Sequence, residues 1–189
     1  MFNKRLVDFN SDEIPLVVKR TIENLKKRAL QSEGLFRVPG SVTEIKELKS
    51  KYNNGEDPDL DKYDLNSVAS LLKRFLRDLP EPLCTFDLYD IFLASAVINV
   101  RESRNMMLKK ILGEMPLIHQ NLLRELCLFL KEVASFEKKN KMGPDNLGLV
   151  FSPNLLRSED ESVSITIEDA PIAKTLMKTF ITDYDDLFN

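Results

Sequence analysis

The chain has 189 residues, 43% of them hydrophobic and 30% charged, a balance that fits one globular domain with a substantial core. Its net charge of −3 gives no overall attraction to nucleic acid or an anionic membrane, so any basic site must be local. One histidine and two cysteines, outside any metal spacing, exclude a multi-histidine zinc centre, and no apolar run approaches a membrane span. The opening MFNKRLVDFN lacks the apolar core of a signal peptide, and Cys84 and Cys127 sit in apolar surroundings. Buried free thiols, a reducing compartment and a cytoplasmic protein, or an excised piece of one, are therefore expected. His119, in PLIHQN, reads as a surface or helix-start residue rather than a catalytic base.

Residues 1–13 read as a lead-in and 14–189 as one all-helical domain, because apolar residues recur at spacings of three and four while strand-like alternation is rare. Pro15 opens a first helix with Val18, Ile22, Leu25 and Ala29 on one face. Ser41 and Glu44 form an SxxE capping box for a second, carrying Ile45, Leu48 and Tyr52. After a polar loop, Asn66 is expected to cap a helix with Val68, Leu71, Leu72, Phe75 and Leu76 inward, halted by Pro80. Thr85 starts another, through Tyr89, Phe92, Leu93 and Ala96, and the next carries Met107 and Ile111 and ends near Gly113. Pro116 begins a long amphipathic helix; Asp145 caps one that Pro153 should bend or end, and Pro171 opens the last. Stretches 140–144 and 158–169 read as mobile, and neither marks a domain boundary.

Between the first two helices, EGLFRVPGS (Glu33 to Ser41) places Arg37 in an apolar loop. Gly34, Pro39 and Gly40 stop a helix from running through, while Leu35, Phe36 and Val38 can anchor the loop to a core. Taken alone, such an arginine is expected to run along the surface and pair with a carboxylate. The other reading is a guanidinium that reaches a phosphate on another molecule. The loop has no lysine before Ser41 and fails the GxxxxGK[ST] pattern, so the nucleotide would be held elsewhere. Lys73 and Arg77, four apart on one helix flank, are either a solvated face or a pair awaiting an acidic or phosphate partner. Asn154, after Pro153 in FSPNLLR, either caps backbone freed by the proline or presents a hydrogen-bonding group at a surface. Spacing does not choose between these. Carboxylate pairs such as Asp57 and Asp59 lie in polar loops where nothing would raise a pKa for acid catalysis.

Three segments in order, EGLFRVPGS, LLKRFLRDLPEPL and NKMGPDNLGLVFSPNLL, resemble the RhoGAP domain, the GTPase-activating module for Rho-family small GTPases. The resemblance runs from about Ile14 to Phe188. It implies an all-α domain and a partner of the Rho, Rac or Cdc42 type in its GTP-bound form, which itself holds GTP and Mg²⁺, so that this chain needs no cofactor or metal. It implies a catalytic role in trans for Arg37, with Arg77 holding the finger loop and Lys73 facing the GTPase. Asn154 and Pro171 become partner-facing positions. Three departures stand out: Pro39 replaces a small polar residue, Gly148 the usual alanine, and Ser152 a frequent glycine. The rival expectation is a RhoGAP-like binding module that does not accelerate hydrolysis.

Overall fold

The computed structural model describes residues 1–10, 13–159 and 165–189, and among these every regular element is helical. After a single 3-10 turn at Leu6–Asp8, Pro15 precedes α1 (Leu16–Arg28), which buries Val18, Ile22 and Leu25 as its spacing predicts. α2 (Val42–Asn53) starts at Ser41, whose hydroxyl accepts from the Glu44 amide at 3.4 Å. The capping box closes in this direction only. The Ser41 amide donates instead to Ser67 Oγ at 2.9 Å, so a tertiary bond takes the donor that Glu44 would have met.

α3 (Leu65–Arg77) is capped by Asp64 and not by Asn66: the Asp64 carboxylate accepts from the Asn66 amide at 2.8 Å, with Asp64 in the extended conformation a cap requires. α4 (Tyr89–Ala96) begins later than expected, because Thr85 adopts a left-handed φ of 58° that no helix accommodates. In α5 (Arg101–Glu114) the buried face is Leu108, Ile111 and Leu112, leaving Met107 exposed. α6 (Leu117–Ser135) carries the long apolar face predicted after Pro116, but His119 in its first turn is buried, its Nδ1 2.9 Å from the Leu83 carbonyl oxygen. Cys84 and Cys127 are buried free thiols; burial pushes the Cys84 thiol up to about 12 and Cys127 well above its ordinary value.

The short α7 (Glu137–Asn140) leads to α8 (Pro144–Leu155), α9 (Ala170–Thr182) and α10 (Tyr184–Phe188). Gly143 and not Asp145 occupies the α8 N-cap, with Pro144 in the first turn; Asp145 instead pairs with Lys174 at 3.2 Å and Lys178 at 2.7 Å on α9. Pro153 does not stop α8, which runs on to Leu155. α8 and α9 lie closely side by side, because a Cβ on Gly148 would stand 2.8 Å from the Lys174 carbonyl oxygen. Stretch 140–144 is firmly held: the buried Asn140 amide donates to Leu30 at 2.7 Å and Val133 at 2.8 Å, and its oxygen accepts from the Met142 amide at 2.8 Å. Of the acidic 158–169 stretch, residues 160–164 lie outside the described residues. Within the lead-in, Phe2 and Leu6 are buried, and the Phe2 ring packs edge-on against Phe75 of α3.

The junction of α9 and α10 is tied to α5 through Asp183, which is 8% exposed. It accepts from Arg101 Nε at 3.1 Å, Arg104 Nη2 at 3.2 Å and Asn105 Nδ2 at 3.0 Å. Burial opposes its ionisation, yet these donors outweigh burial and hold the carboxyl below the usual range. A depressed carboxyl pKa adds stability above the unfolded value and loses it as pH falls through the folded one. Asp183→Asn is therefore expected to cost about 2 kcal/mol at pH 7 in urea unfolding, with the deficit shrinking below roughly pH 4.

Candidate functional site

The loop between α1 and α2 is shaped by two left-handed residues, Gly34 at φ 71° and Phe36 at φ 71°. Glycine takes this conformation freely; phenylalanine does so only under constraint. The constraint is visible. Phe36 is fully buried, its ring edge-on to Phe129 of α6 at 5.9 Å and to Phe151 of α8 at 4.9 Å. The Gly34 amide donates to the Asn140 carbonyl at 2.8 Å, and the Gly34 carbonyl accepts from Arg37 at 2.8 Å and Val38 at 3.0 Å. The Lys73 ammonium, from α3, donates to the Phe36 carbonyl. Beyond the loop, the Gly40 amide donates to Ser70 Oγ at 3.1 Å, and Gly40 lies so close to α3 that a Cβ would stand 2.4 Å from Ser67 Cα.

Leu35 and Phe36 point into the core, and Arg37, Val38 and Pro39 are exposed. Arg37 opens onto a groove of about 720 Å³ whose walls are the loop, α2, α3 and α8. Among the described residues the Arg37 guanidinium has no carboxylate partner, so the surface ion pair expected from the loop alone is absent. Its Nη2 lies back over its own loop, 3.6 Å from where a Cβ on Gly34 would stand. Lys73, Arg77 and Asn154 line the same groove; Pro171, exposed in the first turn of α9, does not.

The two α3 cations divide their work differently from the expectation. Lys73, half-buried, bonds the Arg37 loop; Arg77, one turn on, is exposed and has no side-chain partner among the described residues. The reason is reach: Lys73 lies level with Phe36, where a carbonyl offers itself. Burial lowers the pKa of the Lys73 ammonium below its ordinary value. Asn154 Nδ2 donates to the Val150 carbonyl at 2.7 Å, one turn back in its own helix, and Asn154 remains partly exposed at the groove wall. The carbonyl freed by Pro153 belongs to Leu149, so the amide is not a patch for the proline.

Motif reading missed part of the groove. Lys46, Lys49 and Arg74 add three cations, and Val42 and Ile45 an apolar edge. Lys49 and Arg74 both pair with the one carboxylate of Asp78. Lys46 follows Val42 by four residues, a spacing that puts them on one helix face and was readable once that face was known to look into a groove. Among the described residues, six cations and no carboxylate line the groove of a chain whose net charge is −3. The local basic site that composition required lies here.

These features define an all-helical domain with an arginine on a braced loop at the mouth of a cationic groove. The profile of the RhoGAP domain family matches residues 15–160. Rho GTPase-activating protein gacJJ of Dictyostelium discoideum is 38% identical over 185 residues, covering 94% of this chain and 21% of that protein. Rho GTPase-activating protein 24 of Mus musculus is 38% identical over 177 residues, covering 92% of this chain and 24% of the relative. The chain thus spans about a quarter of the length of such relatives. The crystal structure of human Rho GTPase activating protein 15 superposes with a TM-score of 0.93 at 27% identity, over 100% of this chain and 92% of that one. The chain belongs to the RhoGAP domain family.

The closeness of Gly40 to α3 makes it a sensitive probe of the loop. Gly40→Ala is expected to lift the loop from Ser67 and cost about 1 to 3 kcal/mol in chemical unfolding, with the helical content of the folded state unchanged by circular dichroism.

Proposed function

We propose that this chain is a GTPase-activating module that docks a GTP-bound Rho-family small GTPase in the cationic groove and inserts Arg37 into the partner's active site. The observation that carries the reading is Arg37 itself: exposed, free of any carboxylate among the described residues, and mounted on a loop whose base is buried. The chain is not an autonomous enzyme. The partner holds GTP and Mg²⁺, and this chain brings no cofactor or metal of its own. Among the described residues no cluster able to hold a metal ion occurs, and no helix is long and apolar enough to cross a membrane. Two free buried thiols fit a cytoplasmic setting.

Phosphoryl transfer asks little covalent chemistry of the protein and much electrostatic stabilisation. An arginine supplied in trans to a small GTPase is worth about 10³ to 10⁵ in rate, because its fork of donors meets charge that develops only in the transition state. Arg37 takes that role. Lys73 braces the finger through the Phe36 carbonyl, Arg77 and Asn154 contact the partner's switch surface, and Pro171 meets it beyond the groove's edge. Preorganisation supports this division: a loop already ordered loses little entropy when it docks.

Single-turnover GTP hydrolysis by a panel of Rho-, Rac- and Ras-type proteins, with and without the chain, tests the reading. Arg37→Ala is expected to abolish most stimulated hydrolysis while leaving binding to the GTP-loaded partner measurable. Arg37→Lys should fail as well, since an ammonium lacks the planar fork. Full activity in either variant, or no stimulation by the wild type, refutes the finger. Asn154→Ala is expected to raise the GTPase concentration needed for half-maximal stimulation, and an unchanged value removes Asn154 from the interface.

A further inference from the structure

Arg157 lies three residues beyond Asn154, on the chain leaving α8, and reaches across to the opposite wall of the groove. Its Nη1 donates to the Arg77 carbonyl at 2.7 Å, and its Nη2 donates to the carbonyls of Leu79 and, at 3.3 Å, Pro80. These acceptors sit at and just beyond the C-terminal end of α3, where a helix leaves carbonyls unmet and carries partial negative charge. A planar guanidinium serves several of them at once, which an ammonium on a single stem does not.

Its setting is unusual for a surface arginine. The side chain has no carboxylate within ion-pair distance among the described residues, and it stands close enough to Arg77 for the two positive charges to repel. Burial, and then that repulsion, push its pKa below the ordinary value, with Asp78 acting the other way. The site thus holds one more cation beside those of the groove, kept there by backbone carbonyls. Another bond joins the same parts of the chain, from the Cys84 amide to the Leu155 carbonyl at 3.0 Å. It grips the strand of chain after Pro82, beyond the end of α3, and leaves the last turn of α3 to Arg157.

We infer that Arg157 is a positioning residue: it sets the backbone of Arg77 on α3 against Asn154 on α8, so that two groove side chains from different helices meet a partner at one spacing. The role rests on the function proposed above, in which Arg77 and Asn154 face the GTPase. It separates Arg157 from the finger, whose braces are Phe36, Lys73 and Asn140.

The test compares the wild type with Arg157→Ala, Arg157→Lys, Arg77→Ala and the Arg77→Ala/Arg157→Ala double variant. Binding is measured to a Rho-type GTPase loaded with a non-hydrolysable GTP analogue, and stimulated hydrolysis is measured at saturating GTPase. Arg157→Ala is expected to weaken binding about tenfold, the loss typical of a charged hydrogen bond, with the saturating rate within about twofold of wild type. In the Arg77→Ala background the same change should add little, because the residue through which it acts is already gone. Losses that simply multiply in the double variant overturn the inference, as does complete recovery by Arg157→Lys, which would make charge alone sufficient. Hydrogen exchange on the free chain needs no partner: Arg157→Ala should speed exchange of amides at 75–79 while those of the finger loop stay as in wild type. Unchanged exchange at 75–79 refutes the clamp. A wild-type chain that neither binds nor stimulates any GTPase refutes the proposed function, and the exchange result still decides whether Arg157 holds the wall.

Discussion

Phe36 is the residue on which the site depends. A bulky side chain at φ 71° sits in a region that costs about 1 to 3 kcal/mol. Complete burial of the ring returns about 1.5 to 3 kcal/mol, and edge-on contacts with Phe129 and Phe151 add about 0.5 to 1.5 kcal/mol each. The Lys73 bond to the Phe36 carbonyl closes the same turn from the other side. The left-handed residue reverses the course of the chain, so the ring goes inward and the next side chain, Arg37, goes out. An exposed arginine is thereby given a rigid base without being given a partner.

The groove applies the same logic to charge. Its cations would repel one another if all were free, and the fold gives some of them partners while sparing others. Lys49 and Arg74 share the Asp78 carboxylate, and Lys73 donates to a backbone carbonyl. Among the described residues, the Arg37 and Arg77 side chains are left open. Repulsion between unpaired cations at a protein surface is a modest, salt-screened penalty that an anionic partner removes on docking. The walls of the groove are tied by hydrogen bonds that span many residues of chain, among them Gly34 to Asn140 and Arg157 to Arg77.

Where local chemistry governs, the amino-acid pattern was a good guide. The helix faces of α1, α3 and α6 emerge from apolar spacing because burial of a stripe at helical period has no competing solution. Errors cluster where a tertiary contact competes with a local one. The Ser41 amide prefers Ser67 to Glu44, and Asp145 prefers two lysines on α9 to its own helix end. Stretch 140–144 looks loose because Asn, Lys, Gly and Pro are turn residues, yet Asn140 is the buried hub that joins α6 to the Arg37 loop. His119 looked polar and exposed, and is buried against the Leu83 carbonyl.

By itself, the order of residues determined the all-helical class, the loop that carries Arg37 and the family to which the chain belongs, since helical period, loop breakers and motif order are all properties of the linear chain. Tertiary structure alone decided that Arg37 lacks a carboxylate partner among the described residues, that Lys73 rather than Arg77 braces the loop, and that Arg157 bridges the two walls. Each of those outcomes depends on which group stands within a few ångströms of another across dozens of intervening residues. Spacing along the chain carries no such distance; it is set when the helices pack.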